Sequence, residues 1–129
     1  MSKGKIAYHI LRVGLAVTFV WIGIMIFQES TLWGAFLRPW AAGLLPIPLK
    51  AAMLATAALD ITVGFFLLIN RFVWLAASVG AFHIMLVLAT TGITAITIRD
   101  IGLLSAALAL AINYWPDWLT LRNHPFKLK

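Results

Sequence analysis

Between positions 49 and 91 the chain offers water almost nothing. Apart from Lys50 at its start, the stretch contains only Asp60, Arg71 and His83 as ionisable side chains. Asn70-Arg71 divides it into two apolar runs, 49–69 and 72–91. Each has about the 20 residues that a helix needs to cross a hydrocarbon core roughly 30 Å thick. In lipid the backbone must satisfy its own hydrogen bonds, so such runs are helices. A turn at Asn70-Arg71 makes the two helices antiparallel neighbours.

The rest of the sequence follows the same rule. The chain of 129 residues is 63% hydrophobic and only 11% charged, against roughly 25% charged in a soluble domain. The runs predict an all-α transmembrane four-helix bundle, a single membrane domain over 1–129, with spans at about 6–27, 49–69, 72–91 and 98–115. The first run, with its basic start at Lys3 and Lys5, reads as a retained helix. It is too long for the core of a signal peptide and carries Arg12. Positions 29–48 are too apolar for a solvated loop. Gly34, Pro39, Gly43, Pro46 and Pro48 interrupt them too often for a span. They predict an interfacial or re-entrant segment that caps one mouth of the bundle.

The net charge of +6 does not point to nucleic acid, because the basic residues gather at the ends of runs. There they set orientation and meet anionic lipid. Lys3, Lys5, Arg12, Arg71, Arg122, Lys127 and Lys129 fall on one side, and Arg38, Lys50 and Arg99 on the other. Both termini are therefore expected in the cytoplasm. The chain has no cysteine, which excludes thiol chemistry and Cys-ligated metals or clusters. Three histidines at scattered depths (His9, His83 and His124) make no metal or haem site.

Asp60 and His83 are the candidate centre. Asp60 lies ten residues before Asn70 and His83 twelve after Arg71. At about 1.5 Å per residue their depths agree within about 3 Å. An ionisable group at mid-bilayer costs about 2.5–3.5 kcal/mol on insertion scales and marks a functional site by default. A buried pair that only fixes helix register is the competing reading. Helical spacing gives each run a polar or small-residue stripe: Arg12, Ala16, Phe19 and Gly23; Thr56, Asp60 and Gly64; Ala76, Gly80, His83, Val87 and Thr90; Gly102, Ser105, Ala106, Ala109 and Asn113. Turned inward, these stripes place Arg12 and Asn113 towards the cytoplasmic end. Arg12 competes with His83 for Asp60, or serves as a topology determinant. Phe19, Trp21 and Phe82 are candidate pocket walls, or lipid-facing. At the outer end Glu29, Arg38, Arg99 and Asp100 form a candidate polar cluster, either a gate or ordinary capping and interfacial charge. The threonines of 90–97 read as backbone satisfaction.

Several segments are similar to DoxX-like membrane proteins. Arg12-Val-Gly-Leu-Ala-Val-Thr-Phe-Val-Trp-Ile-Gly-Ile resembles the family's first helix, R-x-x-L-x-x-x-F-x-W-x-G-I. Asp60-Ile-Thr-Val-Gly-Phe-Phe-Leu-Leu resembles its second, E-x-x-x-G-x-x-L-L, with Asp for Glu. Ile98-Arg-Asp-Ile-Gly-Leu-Leu-Ser-Ala-Ala-Leu-Ala-Leu is similar to its fourth, and Leu32-Trp-Gly and Leu45-Pro-Ile to its first loop. The lysine that often follows the first Gly-Ile is absent here. The resemblance implies a four-helix protein of the bacterial or archaeal inner membrane. Some relatives are subunits of quinone-linked thiosulfate oxidation, and others associate with redox or oxidative-stress partners.

Together these readings predict a redox-associated subunit that binds a quinone-like or other apolar ligand near Asp60–His83. His83 would donate to, or exchange a proton with, a carbonyl oxygen, and Asp60 would orient its imidazole. No intrinsic cofactor is expected, so electrons would come from a partner protein. Membrane lipid and a second copy of the chain are the other partners considered. The alternatives are a non-enzymatic scaffold or assembly protein and a proton or small-solute carrier.

Overall fold

The computed structural model describes residues 1–119, which are helical with no strand. The basic tail residues Arg122, Lys127 and Lys129, together with His124, lie outside the described residues. Four longer helices, α1 (Lys3–Gln28), α4 (Leu49–Leu68), α5 (Val73–Thr91) and α6 (Ile98–Asn113), form the body. Two single-turn helices, α2 (Ser30–Gly34) and α3 (Pro39–Gly43), occupy the long connection. A 3-10 turn, Asp117–Leu119, follows α6.

α1, α4 and α5 are long and apolar enough to cross a membrane, and the chain is a multi-pass membrane protein on that ground. α6 has 16 residues, about 24 Å of helix. It is shorter than the 98–115 expected and falls outside that set of three.

Close approach of backbones decides how α1 and α4 pack. A Cβ on Gly23 would stand 2.7 Å from Ile61 Cγ1 and 2.9 Å from Ala57 O. A Cβ on Gly64 would stand 2.6 Å from Val20 Cγ2 and 2.7 Å from Ala16 O. Only glycine fits at either place, which is how apolar helices associate where lipid supplies no hydrophobic drive. The pairings run in opposite order along the two helices, so α1 and α4 are antiparallel. α5 then returns beside α4, and α6 packs chiefly on α5 and more lightly on α1.

The turn between α4 and α5 is tight. Arg71 N–H donates to Phe66 O at 3.1 Å, and Asn70 (φ 58°) and Phe72 (φ 49°) are left-handed. Asn tolerates that conformation; a bulky Phe rarely adopts it. The core between the helices includes Leu15, Phe19, Val63, Leu67, Ile84 and Leu110.

α6 corrects the expected interior face. It buries Ala107, Leu110 and Ala111, with Leu103, Leu104 and Ala106 packed against the core. Gly102, Ser105, Ala109 and Asn113 are exposed instead. The leucine and alanine side chains fill the space against α5, and their helical phase turns the small polar stripe outward.

The connection 29–48 is strapped to the far end of α5. Arg38 N–H donates to Thr90 O at 3.0 Å. Gly92 has φ 77°, and the Arg38 guanidinium lies where a Gly92 Cβ would project. Thr97 Oγ1 donates to Gly92 O at 2.6 Å and accepts from Thr94 N–H at 2.7 Å. These threonines satisfy the backbone between α5 and α6.

Candidate functional site

Asp60 and His83 each stand near the midpoint of their helices. Their juxtaposition follows from the tight turn after α4, which brings equal depths of α4 and α5 together. Asp60 Oδ1 lies 3.3 Å from His83 Nε2. Asp60 is 3% exposed and the His83 side chain 12%. The contact is an ion-pair distance without hydrogen-bond alignment, for Oδ1 is buried and accepts no hydrogen bond. A buried, unsatisfied carboxyl oxygen costs about 1–3 kcal/mol or more, so the position calls for an explanation.

Phe19 supplies the floor beneath the pair. Its ring lies against Gly80, where a Cβ would come within 2.9 Å of Phe19 Cζ and 3.2 Å of Val63 Cγ1. Gly80 is one turn before His83, so a larger residue there would displace the ring.

Above this floor is a cavity of about 460 Å³, lined by Asp60 and His83 and otherwise mostly apolar. That volume is within the usual range for small-molecule sites, roughly 300–1,000 Å³. Ile22, Ile26, Met53 and Ile84 contribute walls. The strapped connection contributes the roof, with Trp33, Phe36, Leu37 and Trp40. Trp33 and Phe36 pack edge to face with centroids 6.0 Å apart. The segment expected to cap one mouth thus gives the roof three aromatic rings, Trp33, Phe36 and Trp40.

The four outer charges separate. Arg99 and Asp100 line the cavity and approach each other at 3.9 Å, Nε to Oδ1. Asp100 sits in the first turn of α6, where a helix favours negative charge. Glu29 and Arg38 are exposed and do not line the cavity. Arg38 serves the strap to α5, so no four-residue cluster forms.

Arg12 is placed away from Asp60. Its Nη1 donates to the carbonyls of Leu67 and Leu68, the latter at 2.9 Å. Its Nη2 is 3.3 Å from His9 Nδ1. It caps the last turn of α4, whose carbonyls have no helical partner and favour a cation. Asn113 is exposed and does not line the cavity, because the outward phase of α6 carries it away. Trp21 (63% exposed) and Phe82 (65% exposed) also point outward, leaving Phe19 alone of the three expected aromatic walls.

A polar cluster near Arg12 was not evident from spacing along single helices. Tyr8 O–H donates to Asn70 Oδ1 at 3.1 Å, and the Tyr8 ring stacks on Tyr114 with centroids 4.5 Å apart. Tyr8 lies one helical turn before Arg12, and that spacing was the available signal. Among the described residues, no group of three or more His, Cys, Asp or Glu side chains could hold a metal ion.

The arrangement can hold the polar end of a mostly apolar molecule at the carboxyl–imidazole pair and its body among the aliphatic and aromatic walls. Comparisons with family models, curated proteins and solved structures found no match to this chain.

Proposed function

We propose that this protein is a DoxX-like four-helix membrane subunit, associated with redox chemistry, that binds a quinone-like or other apolar ligand in the cavity above Phe19. The observation that carries the reading is the buried Asp60–His83 pair opening onto a mostly apolar cavity of about 460 Å³. Ligand sites have this character: apolar walls with a few convergent polar groups. An intramembrane ionisable pair facing such a space is a functional site by default.

In this reading His83 donates to, or exchanges a proton with, the ligand's ring oxygen, Asp60 orients the imidazole, and either ring nitrogen of His83 can carry the proton. The Trp33–Trp40 roof keeps water from the pair. Electrons reach the ligand from a partner protein. In this reading the bundle lies in a bacterial or archaeal inner membrane, as the DoxX resemblance implies, and the lysine and arginine bias supports cytoplasmic termini.

Trp33 and Trp40 line the cavity, so a bound quinone ring is close enough to quench their fluorescence. Titration of the purified protein with decyl-benzoquinone should give saturable quenching that His83→Ala weakens at least tenfold in folded protein. Unchanged affinity in the variant would remove His83 from the site. Recovery of a partner protein, with no ligand ever bound, would favour the scaffold reading.

A further inference from the structure

The polar groups around the cavity are unequal in kind. Thr18 and Thr56 line it beside the pair, but their hydroxyl protons are committed to their own helices. Thr18 Oγ1 donates to Gly14 O at 2.9 Å and Thr56 Oγ1 to Ala52 O at 3.0 Å. Thr91, nearer the roof, donates to Val87 O at 2.6 Å. Each leaves only oxygen lone pairs for a ligand. Asp60 adds a carboxyl that borders the cavity, with its Oδ1 buried beside His83 Nε2. A neutral His83 has one N–H; if Nε2 carries it towards Asp60, Nδ1 is another acceptor. The fixed cation of the lining, Arg99, is at the outer end and faces Asp100.

At its inner end, beside the pair, the site is therefore rich in acceptors and poor in donors; the indole N–H groups of Trp33 and Trp40 and the Arg99 guanidinium belong to the outer roof. A buried acceptor left unpaired is costly, and a ligand that lacks the matching donor is rejected strongly for that reason. We infer that the cavity selects a ligand whose polar end donates hydrogen bonds, a phenol or hydroquinone hydroxyl, over the quinone of the same shape, which only accepts. This rests on the proposed ligand-binding reading and names which member of a quinone–hydroquinone pair the site holds. The hydroxyl proton points to the Asp60 carboxyl, and the ring lies over Phe19 towards Trp33.

Three molecules of one shape test it: decyl-hydroquinone, decyl-benzoquinone and decyl-1,4-dimethoxybenzene, in which both donors are methylated. Isothermal titration of the full chain in mild detergent, without oxygen, gives each affinity. The hydroquinone should bind at least about tenfold more tightly than either of the others, the scale of one hydrogen bond. Asp60→Asn replaces one acceptor oxygen with a donor amide at the same size. It should shrink that preference at least about threefold, with size-exclusion behaviour as the check on folding. Equal or tighter binding of the quinone would overturn the inference and leave the ligand-binding reading intact. Absence of saturable binding by all three would overturn both.

Discussion

Asp60 Oδ1 and His83 Nε2 stand 3.3 Å apart at the middles of the antiparallel helices α4 and α5. Those helices are also joined by the turn after α4 and by Val63, which lies against Gly80. His83→Ala should destabilise the protein by about 3 kcal/mol, because it strands the buried carboxyl. Asp60→Leu/His83→Leu should recover most of that loss and bind no ligand. Thermal unfolding in detergent, read beside ligand titration, separates the two effects. A double variant as unstable as the single one would make the pair structural.

Helix approach at the two glycines is open to a direct comparison. Gly64→Ala places a methyl within 2.7 Å of Ala16 O and should cost about 1–3 kcal/mol. Gly102→Ala meets nothing within 4 Å and should be neutral or slightly stabilising, by up to about 1 kcal/mol from helix propensity. Equal melting temperatures for the two variants would contradict the α1–α4 packing described.

Arg12 separates stability from binding. Arg12→Met removes the donors to the last carbonyls of α4 and should destabilise by about 1.5–3 kcal/mol, the range for hydrogen bonds to charged groups. Ligand affinity of the folded variant should change less than twofold. A large affinity loss at unchanged melting temperature would return Arg12 to the site.

Topology can be read chemically because the chain has no cysteine. Ser2→Cys should react with a membrane-impermeant maleimide only from the cytoplasmic side. Leu44→Cys, at a position 75% exposed on the α3 side, should react only from the opposite side. Labelling of both from one side would contradict the orientation.

The juxtaposition of Asp60 and His83 was legible because one short turn fixes the relative depth of two straight helices. The membrane-crossing character of α1, α4 and α5 was legible from run length and apolarity. Side-chain direction on α6 was not. Its small residues and its leucines define competing faces, and only packing against α5 selects Leu110 over Asn113 for the interior. The depth of Arg12 was legible but its partner was not: a long side chain reaches either way along a helix, and it meets the carbonyls of Leu67 and Leu68 at the end of α4. Positions 29–48 read as a cap over one mouth, but which of their side chains form the roof was not legible, since its position depends on the Arg38–Thr90 backbone bond.

The most direct test of the central claim is native mass spectrometry of the wild type and of Asp60→Leu/His83→Leu, each purified in mild detergent, followed by solvent extraction of what is bound. The account predicts one defined apolar small molecule, bound one to one in the wild type and missing from the folded double variant. A wild type that carries only bulk lipid, or a double variant that keeps the same ligand, would contradict it.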